Sequence, residues 1–300
     1  MIGIGLTINA DAPMARMRDI ARQAEAAGFD FAYVADQGFT RDVWVTLAMA
    51  LRATERLRVG PGITNALSRS LNATVAAMRS LQAIGGSRAF LGLGAGGTRL
   101  LGPLHLEPAR PLAVLEEALA YCRERLDGDI SLAGRGPKVL ELGGRTADEV
   151  FLSAKAFFEL SSAVAAIRRG AAANPRPVRI HWACHLAIDD AIHERIRQRY
   201  SYTLVDSTDE VRRRLGISDA DAHDMMMAAR TSGLAASARW VTDDMLREFV
   251  ILDREPASAA KRIAATVKEH GFDAFVLNVA NPDVADAQID FVRRMIPLLR

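Results

Sequence analysis

Short apolar runs alternate with longer stretches of helical period along the whole chain. The runs lie at 2–8, 31–35, 57–63, 89–93, 130–133, 150–153, 178–186 and 274–279. They are continuously apolar rather than alternating, as strands covered on both faces must be. Between the first two, Met17, Ile20, Ala21, Ala24 and Ala27 fall on one face of a helix that Asp11 is placed to cap and Gly28 to end. The stretches 43–51, 74–84, 112–126, 137–147 and 158–169 read as helices long enough to cross over a sheet. This strand-helix alternation predicts a parallel sheet with right-handed crossovers.

An internal echo points to repeated units. EAAGFDFAYV at 25–34 and KEHGFDAFVL at 268–277 share a helix end, a Gly-Phe-Asp turn and entry into an apolar strand. The junction also recurs wherever Gly-Phe-Asp merely makes a good turn. Eight strand-helix units in 300 residues predict a single-domain (β/α)8 TIM barrel over 1–300 rather than an open Rossmann sheet. Residues 189–271 show no convincing strand and read as a helical insertion between the seventh and eighth strands, above the C-terminal mouth. There it is placed to act as a lid, and its Met225, Met226 and Met227 run suits either core filling or a binding surface.

Charge narrows the function. A net charge of +2 without basic clusters disfavours nucleic acid and anionic membrane as partners. The basic start of a signal peptide is absent, and no long uncharged run suits a membrane span. Cys122 and Cys184 form no close-spaced cluster, which fits free thiols in a reducing, cytoplasmic compartment. His181 and His185, four apart on the seventh strand, read as core or supporting residues and not as ligands; no metal site and no Ser/His/Asp ordering is predicted.

The loops after the strands carry a barrel's chemistry. After the second strand, Asp36 and Gln37 offer an acceptor and an amide to the polar edge of a heterocycle, and Trp44 offers a flat wall to a planar substrate. A capping aspartate and a packed indole explain these residues equally well. GPGITN breaks the third strand where a mouth tolerates a bulge. In GLGAGG, Gly92, Gly94 and Gly97 match G-x-G-x-x-G, but Pro103 and Pro108 block the helix that a dinucleotide fingerprint requires. These glycines instead let a cofactor ring or the backbone approach closely. Gly134, Arg135 and Gly136 precede a helix beginning at Pro137, so free N–H groups and a guanidinium form a phosphate site, although two glycines can also simply turn the chain.

Taken in order, Asp36 with Trp44, GPGITNALSRS, RAFLGLGAGG and GRGPKVLELGGRTADEVFLSA resemble the bacterial-luciferase-like superfamily of TIM barrels, and within it the coenzyme F420-dependent methylenetetrahydromethanopterin reductase group. The resemblance is close over about 1–175 and loose beyond. It implies a deazaflavin-dependent oxidoreductase that passes hydride to or from a small organic or pterin-like substrate. By the same resemblance, a non-prolyl cis peptide at Gly62-Ile63 backs the ring with Thr64 beside it, and Asp36 lies at the ring's polar edge. Gly94 joins the cofactor wall, Gly134, Arg135 and Gly136 bind the phosphate, and Trp44 and Asn65 bound the substrate. Asp36 and Gln37 are the catalytic candidates. The superfamily also implies two alternatives: an FMN-dependent monooxygenase fed by a separate flavin reductase, and a non-catalytic flavin-binding homologue. A homodimer through the second and third helices is implied as well. The sequence departs from the group in three places. Gln37 stands where relatives usually carry histidine and has no titratable proton to give. Ala95, Gly96 and Gly97 stand where several carry an acid, and the chain is short between Asp129 and Ile130, where relatives have a longer loop.

Overall fold

The computed structural model describes residues 1–38, 40–96, 101, 104–106 and 109–300. Gly97, Pro103 and Pro108 of the fourth-strand loop lie outside them. Ten strands are described, all paired in parallel: β1 (Gly3–Asn9), β2 (Phe31–Ala35), β3 (Arg58–Pro61), β4 (Thr64–Asn65), β5 (Leu91–Gly94), β6 (Ile130–Ala133), β7 (Glu149–Leu152), β8 (Arg179–Ala187), β9 (Val250–Leu252) and β10 (Ala274–Asn278). Their order is β3-β2-β1-β10-β8-β7-β6-β5-β4, and β9 pairs with β8 off this path. Because β3 and β4 are two halves of one strand interrupted at residues 62–63, the order closes on itself. Val59 bridges to Ala89, and the Phe90 N–H donates to the Val59 carbonyl at 3.2 Å. The eight-stranded TIM barrel expected from the sequence is therefore present, its third strand split into two.

Helices cover the outside of the barrel: α1 (Met14–Ala27), α2 (Val43–Ala53), α3 (Leu71–Gly85), α4 (Pro111–Arg125), α5 (Pro137–Thr146) and α6 (Leu160–Ala171), then α12 (Pro256–His270) and α13 (Ala285–Leu299). Asp11 does not cap α1. Pro13 holds the N-cap position without a side-chain bond, because the fixed proline φ already sets the helix entry. At the other end, the Gly28 φ of 93° makes the left-handed stop that only glycine takes without cost.

The Gly-Phe-Asp echo is a working part of the barrel. Phe29 and Phe272 are both buried. The Asp30 carboxylate accepts from the Ile4 N–H at 2.7 Å, and Asp273 accepts from the Ile180 N–H at the same distance. Each aspartate returns its own N–H to the carbonyl of that same residue. Asp148 repeats the arrangement with Ile130. One carboxylate thus clips the start of a strand to its neighbour, satisfying backbone groups that the barrel rim leaves over.

Two corrections concern the insertion. It contains a strand: Val250 to Leu252 lie in register with His185 to Ala187. α12 is an ordinary barrel helix, so the departure from the repeat covers about 190–249, with α7 (Asp190–Val205), α8 (Asp209–Arg214), α9 (Asp219–Ser232), α10 (Leu234–Ser237) and α11 (Asp243–Arg247). These helices have their own apolar cluster, including Ile192, Ile196, Leu204, Met225, Leu246 and Phe249, seated on Ala187 of β8. Met225 fills that cluster, whereas Met227 is 41% exposed.

Inside the barrel, Phe31, Tyr33, Phe90, Phe151, Ala183 and Val276 fill the centre. Tyr33 stacks on Phe151 with centroids 4.3 Å apart. The floor, at the strands' N-terminal ends, is charged. Glu149, only 1% exposed, accepts from Arg58 at 3.1 Å and Arg179 at 2.8 Å, and both arginines also reach Asp129. His181 bonds the Tyr33 hydroxyl at 3.0 Å and stacks on Phe31. A plugged floor and a filled centre leave the C-terminal mouth as the place for a ligand.

Candidate functional site

A cavity of about 600 Å³ opens at that mouth. This is within the range of small-molecule and cofactor sites. The strands supply its base through residues at or near their C-terminal ends: Asn9 on β1, Asp36 and Gln37 after β2, Gly134 after β6, His185 two residues before the end of β8, and Asn278 on β10. α7 supplies the opposite wall through Arg199, Tyr200, Tyr202, Thr203 and Asp206. The insertion therefore walls the cavity, the position expected of a lid.

The Gly62-Ile63 peptide is cis, and both residues line the cavity. Thr64, fully buried behind them, donates from Oγ1 to Asp36 Oδ2 at 2.7 Å. Burial raises the Asp36 carboxyl above its ordinary value, helped by the nearby Asp42 carboxylate and opposed by the Thr64 bond. Asn65 lines the cavity but spends its side chain locally, accepting from the Leu67 and Ser68 N–H groups.

Gly94 has a different surrounding from the one expected. A Cβ there would lie 1.9 Å from Ile63 Cδ1, and one on Gly92 would lie 2.0 Å from the Pro61 carbonyl oxygen. What approaches these glycines is the bulge itself, so they pack behind it, and Gly94 is not among the cavity-lining residues. Trp44 likewise points away from the mouth. It is 6% exposed, packed in the main core, with the Arg69 guanidinium 5.3 Å from its ring centre. The capping reading holds for its neighbour, since Asp42 accepts from the Trp44 and Val45 N–H groups.

Gly134, Arg135 and Gly136 line the cavity where α5 begins. A Cβ on Gly134 would lie 2.3 Å from Val139 Cγ1, so the turn is tight there, while one on Gly136 would meet nothing. No side chain caps α5. Pro137 has no N–H, and the Val139 and Leu140 N–H groups return to the Gly136 carbonyl at 3.1 and 3.0 Å. The Gly136 and Lys138 N–H groups are the ones left for an anion. Arg135 reaches across to α7, donating to the Asp206 carbonyl at 2.9 Å.

Gln37 meets Asn9 amide to amide at 3.1 Å. With the Asn9 oxygen turned to the Arg199 guanidinium, its nitrogen faces Gln37. Arg199 Nη1 also donates to the Ala280 carbonyl. His185 belongs to this wall and not to the core, unlike His181. Burial, with the Arg199 charge adding to it, pushes the His185 imidazole down to about 3, against a backbone hydrogen bond at Asn278. The unfolded chain therefore takes up a proton below about pH 6.5 that the folded protein refuses, and stability falls as pH falls from 6.5 toward 3. Between pH 7 and 5 this one group is expected to remove about 2 kcal/mol. Urea unfolding at the two pH values checks it: His185→Gln should flatten the dependence by that amount, and an unchanged slope would refute it.

Sequence reasoning missed Asn9, His185, Asn278 and the α7 residues. Asn9 and Asn278 carried a usable signal, a polar residue closing a largely apolar barrel strand. The α7 residues carried none, since an insertion helix has no strand end to mark its inward face. Among the described residues no group of three or more His, Cys, Asp or Glu could hold a metal ion, and no helix is long and apolar enough to cross a membrane.

Comparison with known proteins agrees with this architecture. The family model for luciferase-like monooxygenases matches residues 1–135 and 129–274. A 5,10-methylenetetrahydromethanopterin reductase from Methanolobus tindarius is 29% identical over 270 residues, spanning 80% of this chain and 83% of the relative. Among solved structures, the coenzyme F420-dependent tetrahydromethanopterin reductase of Methanopyrus kandleri superposes with a TM-score of 0.86 at 20% identity, covering 100% of this chain and 99% of that one. An F420-dependent secondary alcohol dehydrogenase in complex with an F420-acetone adduct superposes at 0.79 with 16% identity and the same coverage. With the family model matching most of its length and a split-strand barrel to go with it, the chain belongs to the luciferase-like monooxygenase family.

Proposed function

We propose that the protein is a coenzyme F420-dependent oxidoreductase acting on a small organic or pterin-like substrate. One observation carries this reading: a single cavity joins the bulge at Gly62-Ile63 to the uncapped start of α5 at Gly134, Arg135 and Gly136. A flat ring against the first and a phosphate at the second is what a deazaflavin with its tail presents. The printed activities of the Methanolobus tindarius relative and of the two superposed structures support the same cofactor class.

When bound, the deazaflavin supplies the hydride chemistry, and the barrel supplies orientation and exclusion of water. In this reading Gly62, Ile63 and Thr64 back the ring and Asp36 holds its polar edge. Gln37 has no proton to give and serves as a hydrogen-bonding amide. Gly92 and Gly94 let the bulge sit where it does. Tyr200 and Tyr202 cover the cavity from α7.

Titration of the full chain with F420 and, separately, with FMN tests the proposal. Micromolar binding of F420 with FMN ignored is expected, and Arg135→Ala should weaken it about 10- to 100-fold, the worth of a charge-assisted hydrogen bond. Preference for FMN would instead favour a monooxygenase fed by a flavin reductase, and stoichiometric F420 binding without turnover a non-catalytic homologue. The buried free thiols Cys122 and Cys184 fit the cytoplasm. Val45 on α2 and Ile84 on α3, 59% and 39% exposed, fit a homodimer through those helices, which sedimentation velocity would reveal.

A further inference from the structure

The strand order sets the two sides of the cavity against each other. Counted round the barrel from the split strand, β8 is fourth in either direction, through β2, β1 and β10 one way and through β5, β6 and β7 the other. The β8 wall therefore stands across the mouth from the bulge at Gly62-Ile63. A ring laid flat on the bulge has one face covered by it and turns the other toward β8. Hydride passes on that open face, so the groups that hold the substrate belong to the β8 side.

Tyr200 of α7 is the side chain that the insertion sets there. Its ring meets His185 of β8 edge to face with centroids 5.6 Å apart, and Phe249 at 5.3 Å. It is 3% exposed and belongs to the insertion's apolar cluster, so packing fixes the ring. The phenol nevertheless lines the cavity. Among the described residues its hydroxyl has no hydrogen-bond partner, and unlike His185 Nδ1 it is not sealed from water. Tyr33, deep in the barrel, shows the contrast: its hydroxyl bonds Ser131 at 2.9 Å and His181 at 3.0 Å. A buried tyrosine hydroxyl ordinarily finds a partner, and the side left open to Tyr200 is the cavity. A phenol keeps its proton well above neutral pH, so it always has a hydrogen to offer, and what it lacks is an acceptor.

Resting on the oxidoreductase reading above, we propose that Tyr200 is a substrate-positioning residue whose hydroxyl donates a hydrogen bond to an oxygen of the substrate on the ring's open face. The insertion thereby enters substrate choice through one rigidly packed side chain. The cofactor's hold at the bulge and at α5 lies elsewhere in the cavity.

Carbon NMR of the full chain labelled at the ζ carbon of its four tyrosines tests this, with Tyr200→Phe used to assign the signal. In the protein alone, in an equal mixture of H2O and D2O, the Tyr200 ζ carbon should give one averaged line, because an open hydroxyl exchanges fast. Two resolved lines, the mark of a held proton, would overturn the proposal whether or not F420 binds. With F420 bound, two probes separate the sources of the acceptor: 2-propanol for an alcohol oxygen and methylenetetrahydromethanopterin for a lactam oxygen. One of them should shift the Tyr200 line, and failure of both to do so would overturn the proposal. For the active probe, Tyr200→Phe should raise KM about five- to tenfold, the worth of one neutral hydrogen bond, with the F420 Kd unchanged. An equal loss of F420 affinity would place the residue with the cofactor and refute the assignment. The thermal midpoint of Tyr200→Phe should barely move, since the ring stays and the hydroxyl bonds nothing in the folded chain; a large drop would mean that the hydroxyl is spent inside the protein. Failure of the wild-type chain to bind F420 would count against the oxidoreductase reading, while the exchange of the Tyr200 hydroxyl still decides whether it is open to a ligand.

Discussion

Glu149→Ala is expected to destabilise the barrel by about 3 kcal/mol, the low end for breaking a buried ion pair. The carboxylate is almost wholly enclosed, and four groups depend on it. Arg58 and Arg179 bond it directly, the Tyr33 hydroxyl lies 3.4 Å away, and His181 lies 3.8 Å away. The low end applies because both arginines keep Asp129 and are partly hydrated. Burial alone would push the Glu149 carboxyl up, but His181 when protonated, Arg58 and Arg179 outweigh it and hold it below the ordinary value. Its contribution is therefore present at neutral pH and lost as pH falls below the unfolded carboxylate value. Denaturant unfolding of wild type and variant at neutral pH measures the loss. Because the cluster lies at the end of the barrel away from the mouth, F420 affinity should be retained below the unfolding midpoint. A loss under 1 kcal/mol would mean that the arginines satisfy themselves through Asp129 and water.

Gly92→Ala should cost as much or more, about 3 kcal/mol, toward the upper end for overpacking. The added methyl would sit 2.0 Å from the Pro61 carbonyl oxygen, a backbone atom that no rotamer change can move aside. Relief requires shifting β3 just before the bulge, so cofactor binding should fall together with stability. Gly136→Ala is the control. Its Cβ meets nothing and its φ is −76°, so guanidinium midpoints should barely change. If both variants unfolded alike, the distinction between a packing glycine and a turning glycine would be wrong.

That distinction marks where the sequence could be read and where it could not. The barrel was legible because parallel strands buried on both faces must be apolar throughout, and the break at GPG announced the split of the third strand. β9 was not legible: three residues, Val250 to Leu252, look no different from the helical insertion before them. Spacing showed that Gly92 and Gly94 allow a close approach, but not that the approaching atoms belong to Pro61 and Ile63. Gly134, Arg135 and Gly136 were legible because Pro137 fixes the start of a helix. Trp44 misled, since an indole near a mouth and an indole under a helix have the same sequence neighbours. His181 and His185 looked equivalent. What separates them is height in the barrel, set by Tyr33 below and Tyr200 above, and no local pattern encodes it.

The pairing of β1 with β10 has a consequence for how the chain is made. Gly3 to Thr7 bond along Ala274 to Asn278, so one edge of the barrel's first strand waits for its last strand to be made. Throughout synthesis that edge, apolar on both faces, stays open to any other strand nearby. Contacts so far apart in sequence also make closure a slow step compared with forming each strand-helix unit. Yield of the folded chain should therefore depend on how quickly translation finishes and on what shields β1 in the interval.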